Sequence, residues 1–337
     1  MADGDGSAAG TDEGRPGRGV DVRAYLALVL MVLVGSTTAP SARYAVRELP
    51  VGLIPLVRFG VAGLCLLPFA GRGGGGLVRL LREDGPRLAL AAFCCVPLNQ
   101  TFFLNAARLT STSHIALIYA AVPMVVLLLA AAVGQERLRA DRLVGVAASV
   151  LGVVVIVLDS LWRGGTTGPA VLQGDLLLIG AVVSWGAYLT VSKPLLARHG
   201  ALTVLAGTFL VGALLDVPIA LATLPGWAPP SAASPAAWKG LAYLTLVVTV
   251  FGLLFQNFAL RRLDASQVAT FGNAAPLLTV GWGALLFGES VSSAMALGGL
   301  LTLGGILWTS RPARSRIREF APVVASPSVL GASVPPR

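Results

Sequence analysis

Charged side chains are scarce in this chain. Asp, Glu, Lys and Arg together make up 12% of its 337 residues, about half of the roughly 25% that soluble domains carry. Hydrophobic residues make up 55% and the mean hydropathy is +0.79, so too little polar surface exists to cover a water-soluble particle of this size. The composition predicts a protein whose surroundings are the lipid bilayer.

The residue types that hold metals or perform hydrolysis are also few. The three cysteines lie in apolar stretches without metal-ligand spacing, and the two histidines are far apart. These features argue against a disulfide framework and a zinc site. The motifs HExxH and GxSxG are absent, as is the phosphate-binding loop that ends in Gly-Lys-Ser/Thr. We therefore expect a protein that is not an enzyme and has no metal or other cofactor.

The net charge of +9 comes from bases in the connections between apolar runs, not from a patch shared with aromatic residues. This distribution argues against a nucleic-acid partner. With the N-terminus inside, most lysines and arginines fall on the cytoplasmic side, as the positive-inside rule requires. We therefore predict a multi-pass protein of the bacterial plasma membrane with both termini in the cytoplasm.

Ten apolar runs divide the sequence, and most approach the roughly 20 residues needed to cross the bilayer as a helix. They cover residues 23–42, 51–70, 88–107, 111–133, 142–158, 173–192, 201–223, 238–259, 265–287 and 292–309. The end segments, 1–21 and 311–337, have no apolar period, so we predict disordered cytoplasmic tails. The predicted fold class is an all-α integral membrane protein with ten transmembrane helices.

The two halves of the chain resemble each other, because residues of the same type recur at one constant offset. The matched pairs are Arg108 with Arg261, Ser113 with Ser266, Pro123 with Pro276, Glu136 with Glu289, Gly145 with Gly298 and Gly152 with Gly305. We predict two five-helix repeats, residues 22–160 and 161–310. Because five is an odd number, the second repeat enters the membrane from the opposite side. Inverted repeats of this kind are typical of transporters with a substrate site near the midplane.

These repeats carry motifs that resemble a known family. The motifs are Ser113-x-x-Ala116, Pro123 and Gly-Gln-Glu-Arg-Leu in the first half, and Ser266-x-x-Ala269, Pro276 and Phe-Gly-Glu-Ser in the second. Each set resembles the end of an EamA domain, and residues 22–310 resemble the ten-helix branch of the drug/metabolite transporter superfamily. The resemblance implies secondary transport, often efflux, of small metabolites such as amino acids or drug-like compounds.

Two other functions remain open from the sequence. A lipid-headgroup flippase, or another intramembrane protein without metabolite transport, would need a lateral opening or a reactive cluster. A receptor or scaffold subunit would have its interior polar residues paired with one another and would enclose no cavity. A central cavity with polar walls would therefore argue against the second.

Polar and aromatic groups at membrane depth are candidates for substrate contact, because such groups are costly there. We predict a substrate site formed by Arg58, Asn99, Gln100, Tyr119, Trp185, Tyr188 and Asn273. Packing between helices explains the amides and the aromatic residues equally well. Arg58 could attract a carboxylate or phosphate, or it could extend to the outer headgroups.

Prolines and glycines recur at equivalent positions in the two halves. The prolines predict hinges, and the glycines predict close packing of helices. Pro123 and Pro276 lie in the fourth and ninth helices, and we predict that they act as hinges or gates. Gly145 and Gly152 share one helix face, and Gly298 repeats this arrangement with Gly305. Small residues let helices approach closely, so we predict packing there, and these faces could also take part in a homodimer.

Overall fold

The computed structural model describes residues 21–70, 76–135, 140–163, 168–224, 233–263, 268, 271–272 and 274–309. Apart from Asp21, the two predicted tails lie outside the described residues, and so does Asn273. All regular secondary structure in the described part of the chain is helical. The prediction of an all-α protein is therefore confirmed.

Ten main helical segments follow one another in these residues. They are α1 (Val22–Ala45), α2 (Leu53–Ala70), α3 (Gly76–Leu109), α4 (Thr112–Ala132), α5 (Ala140–Arg163), α6 (Gly168–His199), α7 (Ala201–Thr223), α8 (Pro235–Leu260), α9 (Ala275–Phe287) and α10 (Ser293–Thr309). Seven are long and apolar enough to cross a membrane, whereas the apolar stretches of α5, α9 and α10 are shorter. The chain is an all-helical, multi-pass membrane protein.

Irregular turns interrupt four of these segments. α1 bends at Thr37, and α4 is broken at Ala120 and Ala121. α3 contains a π-helical turn, Cys94–Leu98, which includes Pro97, and α8 contains a longer one, Tyr243–Phe251. Pro97 cannot donate the backbone hydrogen bond that a regular helix needs, and the widened turn of α3 accommodates this loss. Non-helical backbone at membrane depth is tolerated where it is buried in protein or lines a cavity.

Two helices are longer than the predicted apolar runs. The segment α3 begins at Gly76 and not near residue 88, because the Arg-rich stretch before the apolar run forms an amphipathic helix that joins the rest of α3 across a kink at Asp84. Leu80 and Leu88 of this stretch are buried, whereas Arg79 and Glu83 pair on its exposed face. α6 likewise extends beyond both ends of its predicted run.

The contacts between helices follow a reciprocal pattern. α5 packs along α10, and α2 packs along α7. α3 packs against α6, α8 packs against α1, and α4 contacts α9. Matching α1–α5 in order with α6–α10 turns the α3–α6 contact into the α8–α1 contact. The same matching leaves the α5–α10, α2–α7 and α4–α9 contacts unchanged. The two halves of the chain are therefore interleaved.

The contact between α5 and α10 depends on glycine. Gly152 lies against the backbone carbonyl of Gly298, and Gly305 lies against that of Gly145, so a side chain at either would collide with backbone. Such close approach of two helices requires small residues. These faces are filled within one chain, which leaves them unavailable for the homodimer contact considered above.

Candidate functional site

A cavity of about 460 Å³ lies inside the bundle, where helices of both halves meet. Eight of the ten helices contribute to its wall, all but α5 and α10. Five of the predicted site residues line it, namely Arg58, Asn99, Gln100, Tyr119 and Trp185. The structure thus brings together, around one space, side chains that lie far apart in the sequence.

Four of these side chains form one hydrogen-bonded chain. Arg58 Nη1 donates to Gln100 Oε1 at 3.5 Å, and Gln100 Nε2 donates to Asn99 Oδ1 at 2.8 Å. Asn99 Nδ2 in turn donates to the Tyr119 hydroxyl at 3.0 Å. A fifth residue, Thr249 of α8, accepts from Arg58 Nε at 2.8 Å. This chain links α2, α3 and α4 of the first half with α8 of the second.

The two adjacent amides are held at the boundary between the halves. The π-helical turn Cys94–Leu98 ends immediately before Asn99. Asn99 and Gln100 are both buried, and Asn99 Nδ2 also donates to the carbonyl of Ala181 in α6, at 2.8 Å. Hydrogen bonds with both halves therefore fix the position of this pair.

Arg58 lies inside the bundle. The residue is 7% exposed, and its guanidinium carbon is 5.0 Å from the centre of the Phe59 ring. No carboxylate of the described residues forms an ion pair with it. Nor is any of the described residues that line the cavity acidic. This burial argues against the hypothesis that Arg58 extends to the headgroups, and an unpaired positive charge borders the cavity.

Aromatic rings form much of the remaining wall. Phe103 packs edge-to-face on Tyr119 with ring centres 5.6 Å apart, and Phe59 packs in the same way on Phe209 at 5.0 Å. Trp185 of α6 adds an indole. The cavity therefore combines one charged and several amide or hydroxyl groups with a large apolar surface, as ligand pockets commonly do.

Of the six candidates for substrate contact within the described residues, Tyr188 alone does not line the cavity. It is buried against Trp185, with ring centres 5.0 Å apart, and does not line the cavity. The two residues are three positions apart and share a face of α6, but only Trp185 reaches the cavity. Tyr188 packs on Trp185 in this structure, its contact with substrate stays a prediction, and Asn273 lies outside the described residues.

Pro123 and Pro276 both stand in the first turn of a helix that starts after a break. The second part of α4 begins at Val122, and α9 begins at Ala275. Proline suits this position because its missing N–H would have no helical partner there. Pro276 lines the cavity, whereas Pro123 does not. Their action as hinges stays a prediction.

Sequence reasoning missed several polar residues at the cavity. These are Thr38, Thr249, Gln256 and Thr279. The threonines gave no signal, because small hydroxyl residues are frequent in membrane helices and bond to their own backbone. Gln256 is different: it occupies the position equivalent to Phe103, which also lines the cavity. The signal that could have identified it is its amide group within an apolar run, as for Gln100.

One end of the cavity is covered by a cluster around Glu289, in the connection between α9 and α10. Glu289 accepts hydrogen bonds from the backbone N–H groups of Thr112 and Ser113, at 2.8 and 2.9 Å, and pairs with Arg43. It thereby caps the N-terminus of α4 with the charge that the helix dipole favours. Gly288, with φ of 64°, makes the left-handed turn that ends α9. We call this side of the molecule the Glu289 end.

The surroundings of Glu289 favour its charged form. Burial raises the pKa of its carboxyl group, but the hydrogen bonds from Thr112 and Ser113 and the charge of Arg43 outweigh burial. The pKa therefore lies below the ordinary value of 4.5. At neutral pH the group is a carboxylate that joins α1, α4 and the α9–α10 connection.

The opposite side of the cavity is accessible. Its wall there includes the exposed Gln256 and the half-buried Met31 and Gly272. By contrast, Ile115 and Ala116, which line the cavity beside the Glu289 cluster, are buried. We call the accessible side the Gln256 end. The lining of the cavity is thus buried at the Glu289 end and partly exposed at the Gln256 end.

Apolar helices of membrane-spanning length around such a cavity define a multi-pass membrane protein of the class to which transporters belong. Comparison with known proteins makes the assignment specific. The chain belongs to the EamA-like transporter family, whose model matches residues 22–158 and 172–311. The resemblance to the drug/metabolite transporter superfamily is confirmed, and the chain is a membrane transporter and not an enzyme.

Individual relatives align with this chain over most of their length. An "Uncharacterized transporter" of Archaeoglobus fulgidus is 25% identical over 86% of this chain and 97% of its own. A "Probable terminal-alkyne amino-acid exporter" of Streptantibioticus cattleyicolor is 28% identical over 88% of this chain and 96% of its own. A crystal structure with 22% identity superimposes with a TM-score of 0.58, covering 85% of this chain and 96% of that one, and so has the same fold.

Proposed function

We propose that this chain is a secondary active exporter of small metabolites, such as amino acids or drug-like compounds, that works by alternating access. One observation carries the proposal: the cavity lies between the two halves, has polar side chains in its wall and is accessible from one end. Inverted-repeat transporters bind substrate at such an interface. The name of the Streptantibioticus relative supports export.

The proposed architecture has ten membrane-spanning helices in two inverted repeats, residues 22–160 and 161–310, between cytoplasmic tails 1–21 and 311–337. The reciprocal packing of the helices supports it. So do the π-helical turns of α3 and α8 and the helix starts at Pro123 and Pro276, which recur at equivalent positions.

The positions of the basic residues set the proposed orientation. With both termini in the cytoplasm of a bacterial cell, the Glu289 end faces outward and the Gln256 end faces the cytoplasm. The cavity would then be open to the side from which an exporter takes its substrate. Reporter fusions after Gly10 and Pro312 should both give cytoplasmic signals.

In this proposal the five cavity-lining candidates, from Arg58 to Trp185, contact the substrate, while Pro123 and Pro276 bend as the ends open and close. The small molecule and the lipid bilayer are the partners. A gradient of substrate or ions supplies the driving force, because the sequence has no nucleotide-binding loop.

An untargeted comparison of metabolites in medium and cells tests the function. Cells with the wild-type protein should accumulate a particular compound in the medium. Cells with Gln100→Leu, a near-isosteric change at the cavity, should not, although the variant folds and inserts normally. Redistribution of a lipid in place of a soluble compound would favour a flippase, and identical profiles in both cultures would count against transport.

A further inference from the structure

Arg58 and the walls around it indicate the charge of the substrate. Resting on the proposed transport function, we propose that the cavity binds an organic monoanion: a carboxylate that pairs with the Arg58 guanidinium, on an aromatic or aliphatic body that packs against the ring-lined wall. The substrate class is thus an amine-free carboxylic acid.

The first argument is the unpaired charge. Arg58 stays protonated at any physiological pH, and it is 7% exposed. A buried charge is costly unless an opposite charge accompanies it. Among the described residues no acid pairs with Arg58. The oxygens of Asp216 have no hydrogen-bond partner among those residues, but Asp216 does not line the cavity. A bound anion would provide the missing countercharge.

The second argument is the geometry of the guanidinium group. Neutral oxygens of Thr249 and Gln100 accept from Nε and Nη1. Within the described part of the chain, Nη2 donates to no protein acceptor, and it is not among the fully buried atoms without a partner. Two neutral contacts therefore orient the guanidinium and leave donor capacity toward the cavity. A carboxylate is the acceptor that matches this fork best.

The third argument concerns the rest of the ligand. The cavity volume of about 460 Å³ suits a small organic molecule. Phe59, Phe103, Trp185 and Phe209 supply apolar surface. A substrate ammonium group would meet no carboxylate among the described lining residues and would be repelled by Arg58. The walls therefore favour an acid without an amine over a zwitterionic amino acid of the same size.

Calorimetric titration of the purified full-length protein with three matched probes tests the inference. The probes are 3-phenylpropionate, its neutral amide 3-phenylpropanamide, and phenylalanine, which adds the ammonium group. The wild-type protein should bind the acid about 10- to 100-fold more tightly than the amide, the range expected for a charge-assisted contact. Phenylalanine should bind more weakly than the acid.

Variants assign this preference to one residue. Arg58→Gln should reduce the acid-to-amide affinity ratio to about one, and the circular dichroism spectrum of the purified variant shows whether it is folded. Arg58→Lys should keep part of the preference, since it keeps the charge but loses the fork. Arg47→Gln removes an exposed arginine outside the cavity and should leave the ratio unchanged.

Three results would overturn the inference: equal affinity for acid and amide in the wild-type protein, tighter binding of phenylalanine than of the acid, or no binding of any probe. Should Arg58→Gln fail to fold, the wild-type series and Arg58→Lys still decide. The metabolite comparison is a separate test of the proposed function. A neutral or cationic compound exported there would leave export standing while the monoanion inference fails.

Discussion

The two ends of the cavity differ in how their charged groups are paired. At the Glu289 end, one carboxylate that is 10% exposed ties Arg43 of α1 to the start of α4 and to the α9–α10 connection. At the Gln256 end, the ion pair between Arg262 and Asp21 beside α8 and α1 spans 3.4 Å, and both side chains are largely exposed. Exposed pairs contribute little to stability. The comparison indicates that the Glu289 carboxylate helps to hold one end closed, whereas the exposed pair beside α1 and α8 adds little at the other.

In the proposed inverted repeat, the equivalents of the Glu289 cluster would close the opposite end. Glu136 is equivalent to Glu289, and Ser266 is equivalent to Ser113; both lie outside the described residues. In alternating access, one end opens as the other closes around the same site. Changes at Glu289 should therefore alter the balance between two states and not only the stability of one.

Glu289→Ala should have the largest effect on the difference in closure between the two ends of the cavity. It leaves the Arg43 charge and the N–H groups of Thr112 and Ser113 without their acceptor, a loss of about 2–3 kcal/mol for hydrogen bonds to a charged group. The ratio of closed to open molecules at this end should fall about 30- to 150-fold. A cysteine introduced by Ala116→Cys, in a protein whose three native cysteines are replaced by alanine, should become accessible to an impermeant thiol reagent added on that side.

Glu289→Gln is the matched control, because it retains the shape and part of the hydrogen bonding. It should increase labelling less than Glu289→Ala does. If neither variant changes the labelling rate, the Glu289 cluster does not close the cavity, and the comparison of the two ends is wrong.

The prolines should have the next largest effect, because the proposed bending of the two ends takes place at the helix starts that they occupy. Replacing either Pro123 or Pro276 with alanine should lower turnover by about tenfold while the amount of folded protein changes little. Pro276 lines the cavity, so Pro276→Ala should also alter the apparent affinity for substrate, whereas Pro123→Ala should not. Wild-type turnover in both variants would show that they are ordinary features of helix starts.

Much of this architecture can be predicted from the sequence. Apolar runs mark the helices because the bilayer requires about 20 apolar residues per crossing. Rare polar groups inside those runs, such as Arg58 and Gln100, mark the interior because they are costly elsewhere. Five of the seven predicted site residues border the cavity, and their contact with substrate stays a prediction.

What the sequence left open depends on contacts between distant segments. The symmetry of Glu136 and Glu289 indicates a structural role in a turn, but not that Glu289 caps α4, because that contact joins the two halves. Tyr188 and Trp185 share a helix face, so periodicity does not tell which ring reaches the cavity. The N-terminal part of α3 has the composition of a loop, because arginines separate its buried apolar residues, such as Leu80 and Leu88.

A change of pH should affect closure of the Glu289 end less than these substitutions do, and the pKa of Glu289 sets the direction of the effect. The native contacts lower the pKa of Glu289 below 4.5, so they favour the carboxylate. The stabilisation it provides is fully present above pH 4.5 and is lost as the pH falls through the lower native pKa, by up to about tenfold per pH unit. The rate of thiol labelling at Ala116→Cys, divided at each pH by that of an exposed reference cysteine on the same side to correct for the falling thiolate fraction, should be constant from neutral pH to about 4.5 and rise below it. The same measurement in Glu289→Gln should lack this rise, and a rise above pH 4.5 in the wild-type protein would contradict the assignment.

Glu48→Gln should have the smallest effect, although it removes a carboxylate from the same end. Glu48 accepts hydrogen bonds from the backbone N–H and hydroxyl of Ser234, at 2.6 and 2.8 Å, where α8 begins. These bonds lower the pKa of its carboxyl group, the backbone bond most, yet the side chain is exposed, so water and salt screen its charge. Labelling at Ala116→Cys should stay within about twofold of the protein with Glu48 intact, and added salt should abolish any difference.

The increase caused by Glu289→Ala should persist in salt, because that carboxylate is only 10% exposed. An effect of Glu48→Gln as large as that of Glu289→Ala would mean that charge at this end of the molecule, and not burial, keeps the cavity closed.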